Sequence, residues 1–239
     1  MAPTVVLITG PNRGIGNGLL KLYLARPNHT VIAANRDPDH PSSKALYDIP
    51  RGESTSLLIV KIDSTVRTDP SDAVKTLKSK GIDHIDILIA NAAIALSWPK
   101  VRDADTDEIQ EHVVVNIYGF LWLFQAFYSL LKAAEKPKWV TIGSSAGYLT
   151  NATYAPTKTV QHWYTKAIHI EEPWLTAFPV DPGWVQTNMG DRGAHAFGQE
   201  KAAITVDESV NGIIKVVDAA SRETHSGKIW VYTGKESAW

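Results

Sequence analysis

The sequence predicts a doubly wound parallel α/β sheet of about seven strands, covered by helices on both faces. Short apolar runs rich in β-branched residues recur without polar–apolar alternation, as expected of strands buried on both sides. Segments of helical periodicity separate those runs. No proline- or glycine-rich linker and no internal repeat divides the 239 residues, so one domain over residues 1–239 is expected.

The first strand is expected over residues 4–9, ending at Gly10-Pro11-Asn12-Arg13-Gly14-Ile15-Gly16. Helical periodicity then runs from Ile15 to Leu24. A second strand is read over 30–35 and a third over 56–62, with Pro38, Pro41 and Pro50 between them limiting any helix to a short one. Pro70 starts a helix that Gly81 stops. A fourth strand, 86–90, leads through Asn91-Ala92-Ala93 to a long helix from about Thr106 to Ala134. The fifth strand, 139–142, enters a serine-rich turn and a helix reaching Glu171. The sixth, 175–180, ends at Asp181-Pro182-Gly183. Residues 184–206 read as irregular, and a helix over 206–221 precedes a last strand over 228–232. This alternation makes the fold Rossmann-like.

Composition narrows the class. Hydrophobic residues make up 44% of the chain, enough for a sizeable core. The net charge is -1 with Lys and Arg scattered, which gives no reason to expect a nucleic-acid partner. The absence of cysteine excludes disulfide and thiolate chemistry and is compatible with a cytoplasmic location. The opening apolar run is too short for a signal peptide. Residues 113–131 are apolar almost all round, but Asn116, Gly119, Gln125 and Ser129 interrupt them, which favours a core helix over a membrane span.

Two clusters carry chemistry. In the first loop, Gly10, Gly14 and Gly16, with Asn12, Arg13 and Ile15 between them, join a strand to a helix start, where absent side chains let a pyrophosphate approach backbone N–H groups. At the second strand's tip, Asn35 and Arg36 stand where an NAD site would carry an acid. With Arg13 they suit a 2′-phosphate and hence NADP(H), although Asp37, one position on, would restore an acid. In the second cluster, Tyr154 and Lys158 lie at i, i+4 on one helix face. A cation beside the phenol favours phenolate and draws its pKa down, preparing the tyrosine for proton exchange. Such a pair also occurs by accident on ordinary helices. His162 and His169 read as core or interface histidines, and no metal constellation is present.

Taken together, these motifs resemble the short-chain dehydrogenase/reductase family along essentially the whole chain. Thr9-Gly10-Pro11-Asn12-Arg13-Gly14-Ile15-Gly16 is similar to its glycine loop, Asn91-Ala92-Ala93 to its N-A-G element, and Pro182-Gly183-Trp184-Val185-Gln186-Thr187 to its P-G-x-V-x-T turn. The resemblance implies that Asp63 meets the adenine. It also implies that Asn91, Ala92, Ala93, Pro182, Gly183, Val185 and Thr187 line the cofactor, and that Asn116, Ser144, Tyr154 and Lys158 form a catalytic tetrad. In that reading Tyr154 gives a proton, Lys158 tunes it and holds the nicotinamide ribose, Ser144 bonds the carbonyl oxygen, and Asn116 breaks the helix ladder and holds a water. Outside the family pattern, Asn116 would simply be a satisfied amide in a buried helix.

Within the family, the Tyr-x-x-x-Lys-Thr helix and the run to a C-terminal tryptophan resemble fungal-type ketoreductases such as norsolorinic acid reductase. Three departures stand out. The stretch from serine to tyrosine is shorter than the family pattern, leaving Ser145 as a rival to Ser144 and implying a reshaped site edge. Pro156 falls at the third helical position if Thr153 is the N-cap, and Ala93 replaces a glycine.

The implied activity is NADPH-dependent reduction of a small-molecule ketone. Tyr148, Trp184, Met189, Phe197 and Trp98 would line a pocket for a bulky apolar or aromatic substrate, and residues 188–203 would form a lid; packing under a long loop is the plainer alternative. The apolar helix faces imply a homodimer or homotetramer. A non-catalytic dinucleotide sensor and an alcohol dehydrogenase working oxidatively remain open as rival functions.

Overall fold

The computed structural model describes residues 2–148 and 151–238. Its strands join one sheet in the order β3-β2-β1-β4-β5-β6-β7-β8. In chain order, β1 (Thr4–Thr9), α1 (Gly14–Leu24), β2 (His29–Asn35), the short α2 (Pro41–Lys44), β3 (Ser56–Lys61), α3 (Asp69–Ser79) and β4 (Ile87–Ala90) come first. Then follow α4 (Thr106–His112), a π-helical turn (Val113–Tyr118), α5 (Gly119–Lys132), β5 (Lys138–Ile142), α6 (Tyr154–Glu171) and β6 (Thr176–Asp181). The chain closes with α7 (Asn188–Ala196), α8 (Val206–Ala219), β7 (Ile229–Val231) and β8 (Glu236–Ser237). β1 through β7 pair in parallel, and β8 returns antiparallel to β7.

Successive strand residues feed opposite cores, which is why the strands read as unbroken apolar runs. Val6 and Ile8 pack with Leu19, Leu20 and Tyr23 of α1 and Ile213 and Val217 of α8. Val5 and Leu7 pack with Val74 and Leu77 of α3 and Phe120, Phe127 and Leu131 of α5. The buried Trp139 meets Phe120 and Phe124 edge-on, with ring centroids 5.2 and 5.1 Å away. The stretch Thr106–Lys132 is long and apolar enough to cross a membrane by composition, yet one of its faces is committed to this core.

The structure departs from the sequence reading in three places. There are eight strands, because Glu236–Ser237 adds a two-residue return too short to show a period. The long helix read from periodicity is not continuous, since a π-turn interrupts it around Asn116, where the resemblance implied a break in the ladder. Finally, residues 188–196, read as irregular, form α7. Two glycines masked its periodicity, while Thr187 caps it by accepting from Gly190 N.

Strand order reverses between β1 and β4, opening a crevice at the carboxyl ends of both strands. Phe127 is fully buried in the core beneath it. Phe127→Ala is expected to destabilise the protein by about 3–5 kcal/mol in urea unfolding, while a loss below ~1 kcal/mol would place the core's weight elsewhere.

Candidate active site

The glycine loop lies at the end of β1, on one wall of the crevice. Gly10 and Gly14 have φ of 63° and 55°, the left-handed region that glycine tolerates best. A Cβ on Gly16 would come within 2.4 Å of Gly10 O and 2.6 Å of Asn91 Nδ2, so no side chain fits there. Asn91 is a clamp for this loop: its Nδ2 donates to Thr9 O at 2.8 Å and Gly10 O at 3.2 Å, and the Thr9 hydroxyl accepts from Asn91 N and Ala92 N. Arg13, at the N-cap of α1, makes no capping bond, so no side chain of its own covers the first-turn amides. Thr187 closes on the loop from the far side, its Cγ2 lying 3.2 Å from where a Gly14 Cβ would stand.

At the tip of β2, Asn35 is 2% exposed, and both polar atoms of its side chain lack a partner. An orphaned buried amide of this kind calls for a polar ligand. Arg13 and Arg36 are exposed and enter no ion pair among the described residues. Asp37 spends a carboxylate oxygen on its own turn, accepting from Asp39 N at 2.9 Å. Asn12 leans away from the loop to donate to the Ser42 hydroxyl. Asp63, after β3, accepts from the Thr65 amide and hydroxyl at 2.8 and 2.7 Å.

The other wall carries Ser144, Tyr154 and Lys158. Ser144 follows β5, and its hydroxyl reaches the Tyr154 phenol, an interaction that favours phenolate. Ser145 is exposed and starts a 3-10 turn. Lys158 Nζ donates to Ile142 O at 2.8 Å and to Gln161 Oε1 at 2.9 Å, and stands 5.7 Å from the Tyr154 ring centroid. The Asn116 side chain accepts from Ile94 N and donates to Ile94 O and the Thr157 hydroxyl, all at 2.9–3.0 Å. It thereby ties the π-turn to the loop after β4 and to α6. Pro182 and Gly183 turn the chain after β6, with Gly183 at φ 77°, and Val185 bridges to Ile204.

Residues 4–196 match the model of the short chain dehydrogenase family. The chain belongs to that family. It is 41% identical to the norsolorinic acid ketoreductase nor1 of Dothistroma septosporum, over 99% of this chain and 92% of that protein. It is 37% identical to the short-chain dehydrogenase srdF of Neurospora crassa, over 99% and 98%. Among solved structures, the NADPH-bound carbonyl reductase from chicken fatty liver is similar to it with a TM-score of 0.84 and 28% identity, covering 100% of both chains.

In this short-chain dehydrogenase the electrostatics of the Tyr–Lys pair differ from the sequence expectation. Burial pushes the Tyr154 phenol up, outweighing the Ser144 hydrogen bond that pulls it down. Lys158 does not offset this, because burial pushes its own amine down to about 7, against the pull of the Asp181 carboxylate. Desolvation wins over charge pairing here.

The dehydrogenase also uses residues that the sequence did not single out for the site. Thr153 occupies the N-cap of α6, but its hydroxyl donates to Ser97 O. Asn151 supplies the capping oxygen instead, accepting from Tyr154 N at 3.1 Å and Ala155 N at 2.8 Å. An asparagine three residues before a helix start is the signal that could have marked it. His162 sits behind Ser144: its Nε2 accepts from Ser144 N at 3.2 Å and lies 2.5 Å from where a Gly143 Cβ would be. It is a core histidine, one of the two readings expected, and it touches the loop that carries Ser144.

Of the residues expected to line the substrate pocket, Trp184 and Phe197 meet edge-on at 6.4 Å, and Trp184 donates to Gly190 O. Trp98 packs on Gly193 with the Arg192 guanidinium 5.9 Å over its ring, and Arg192 donates to Ala95 O. Met189 is in the first turn of α7 and half-buried. The Tyr148 side chain lies outside the described residues.

His162 generates a pH prediction. Burial, with the Lys158 amine beside it, pushes the imidazole down from 6.5 to about 4. The folded state therefore binds fewer protons than the unfolded chain across that window. Stability is fully present above pH ~6.5 and declines as pH falls towards ~4, by about 3 kcal/mol in all. Urea unfolding of His162→Asn at several pH values is expected to lose most of that slope, and an unchanged slope would assign the acid sensitivity to other groups.

Proposed function

We propose that the protein is an NADPH-dependent ketoreductase acting on a bulky apolar or aromatic ketone, with Tyr154 as general acid. The observation that carries this reading is the convergence of Ser144, Tyr154 and Lys158 at the switch-point crevice that the glycine loop enters. Its similarity to a norsolorinic acid ketoreductase and to an NADPH-bound carbonyl reductase supports it.

The residues present fit a phosphorylated dinucleotide. The loop around Gly14 and Gly16 and the first turn of α1 would take the pyrophosphate. Asn35, Arg13 and Arg36 would take the 2′-phosphate, while Asp37 spends one carboxylate oxygen on its turn. Ala92, Ala93, Ile15 and the turn Pro182 to Thr187 would bound the remainder, and Asp63 would meet the adenine, as the family resemblance implies. Bound NADPH supplies the hydride.

The chain's own residues manage the proton and the charge. A phenol held protonated by burial suits an acid, and Tyr154 Oη would release its proton to the substrate oxygen. The Ser144 hydroxyl would donate to that oxygen as negative charge develops on it. Lys158 Nζ would stabilise the phenolate left behind and the cofactor ribose. Trp98, Trp184, Phe197, Met189 and Tyr148 would form the apolar walls, and residues 188–203 would cover them.

Trp163 and Ile170, on one face of α6, are 63% and 68% exposed, and Tyr118 beside α5 is 43% exposed. These faces support a homo-oligomer, dimer or tetramer, and we infer separately that the enzyme is cytoplasmic.

NADPH consumption should be measured against aliphatic, aromatic and polyketide ketones. Tyr154→Phe is expected to lower kcat by roughly 10²–10⁴-fold, and retained turnover would remove Tyr154 from the acid role. Arg36→Ala is expected to weaken NADPH binding by about 10-fold or more while leaving NADH nearly unchanged. Equal loss for both cofactors would refute the 2′-phosphate contact.

A further inference from the structure

We propose that Gln161 is the positioning residue of Lys158: its side-chain amide bridges the lysine Nζ to the backbone carbonyl of Asn116, and so fixes the place and the protonation of the amine beside Tyr154. The proposal rests on the reading that Lys158 serves the reaction, and the test below separates the two.

The bridge is short and sealed. Gln161 Nε2 donates to Asn116 O at 2.6 Å, and Gln161 Oε1 accepts from Lys158 Nζ at 2.9 Å. Gln161, Lys158 and Asn116 are 3%, 2% and 0% exposed. Chemistry fixes the amide's orientation. A carbonyl only accepts and an ammonium only donates, so the NH₂ must face Asn116 and the oxygen must face Lys158. Gln161 follows Lys158 by three residues on α6, which puts both side chains on one helix face. The carbonyl belongs to the π-turn, where the regular helical ladder is disturbed.

The arrangement differs from a proton route. An amide has no ionisable proton near neutral pH, so Gln161 holds the amine without relaying protons to it. Two of an ammonium's three hydrogens go to Ile142 O and Gln161 Oε1, which leaves one for Tyr154 or a ligand.

Few charged groups compete. On α6, Tyr154 and the neutral His162 face Lys158. β6 supplies Asp181, whose carboxylate favours the charged amine, and β5 and the π-turn offer backbone carbonyls. Burial opposes that charge and pushes the amine down to about 7, so gaining or losing one hydrogen-bond acceptor decides its state at neutral pH.

The test is an NMR pH titration of the cofactor-free protein labelled with ¹³C at lysine Cε, with the Lys158 signal assigned by its loss in Lys158→Met. Gln161→Met, of similar length but with no comparable acceptor, is expected to lower the Lys158 midpoint by about one to two pH units. Gln161→Glu, which places a carboxylate there, is expected to raise it by a similar amount. The high-pH limb of kcat for ketone reduction should move in the same two directions, a response that a purely structural glutamine would not give. Should Gln161→Met fail to fold, Gln161→Asn takes its place, because its shorter amide cannot span both partners. Midpoints equal to that of the native protein in folded variants overturn the proposal. Shifted midpoints in a protein that reduces no ketone uphold the bridge and overturn the ketoreductase reading instead.

Discussion

A primary amine enclosed in the protein is the constraint on which this site depends. Lys158 is 2% exposed, and taking its ammonium out of water is costly unless fixed dipoles replace the hydration. The protein supplies those dipoles from separate elements: the Ile142 carbonyl at the end of β5, the Gln161 amide on α6, and the Asp181 carboxylate at the end of β6. Strand ends can do this because a parallel sheet leaves its last carbonyls unpaired at the crevice. The π-turn extends the set, because its Asn116 carbonyl anchors the amide that holds the amine. Asn116 also ties that turn to its neighbours, its side chain satisfying both backbone groups of Ile94 and the Thr157 hydroxyl.

The opposite wall of the crevice follows another logic. There the protein withholds side chains so that backbone can face an anion. Gly16 admits no Cβ because Gly10 and Asn91 crowd against it, and Asn91 uses its amide hydrogens to hold that crowded turn in place. The buried, unpartnered amide of Asn35 and the exposed Arg13 and Arg36 extend the polar surface towards the tip of β2. One wall is thus built to hold a cation, and the other to receive anionic groups.

Much of this arrangement was legible in the sequence, and the rest failed for identifiable reasons. Apolar runs without alternation pointed to strands buried on both faces, because each strand residue meets one of two cores. Glycine spacing and the i, i+4 pair placed the loop and the Tyr–Lys face because local backbone geometry governs both. Periodicity gave no sign of the π-turn, and only the family resemblance implied a break in the ladder at Asn116, whose side chain bonds to Ile94 and Thr157, residues far apart in sequence. Gln161 was silent, and His162 was read as a core or interface residue without its contact to Ser144: such side chains acquire their roles only through what the neighbouring strand and turn present to them. α7 was missed because two glycines masked its periodicity, while its order comes from the Thr187 cap and from bonds of Arg192 to Ala95 and of Asp191 to Ala202.

The sign of the Tyr154 shift follows from the same competition. Spacing alone suggested that a neighbouring cation would ease the proton off the phenol, whereas burial holds the proton on. For an acid the second condition is the useful resting state, because the group must arrive protonated. It is also insufficient, since a phenol that holds its proton too firmly is a poor donor. In the proposed reaction the proton leaves when negative charge appears on the substrate oxygen, and the phenolate then needs a cation within reach. Lys158 can serve only while it is charged, and its burial works against that charge. In that reaction every contact that favours the ammonium would strengthen Tyr154 as an acid without touching it, which would give residues behind the lysine leverage on the chemistry.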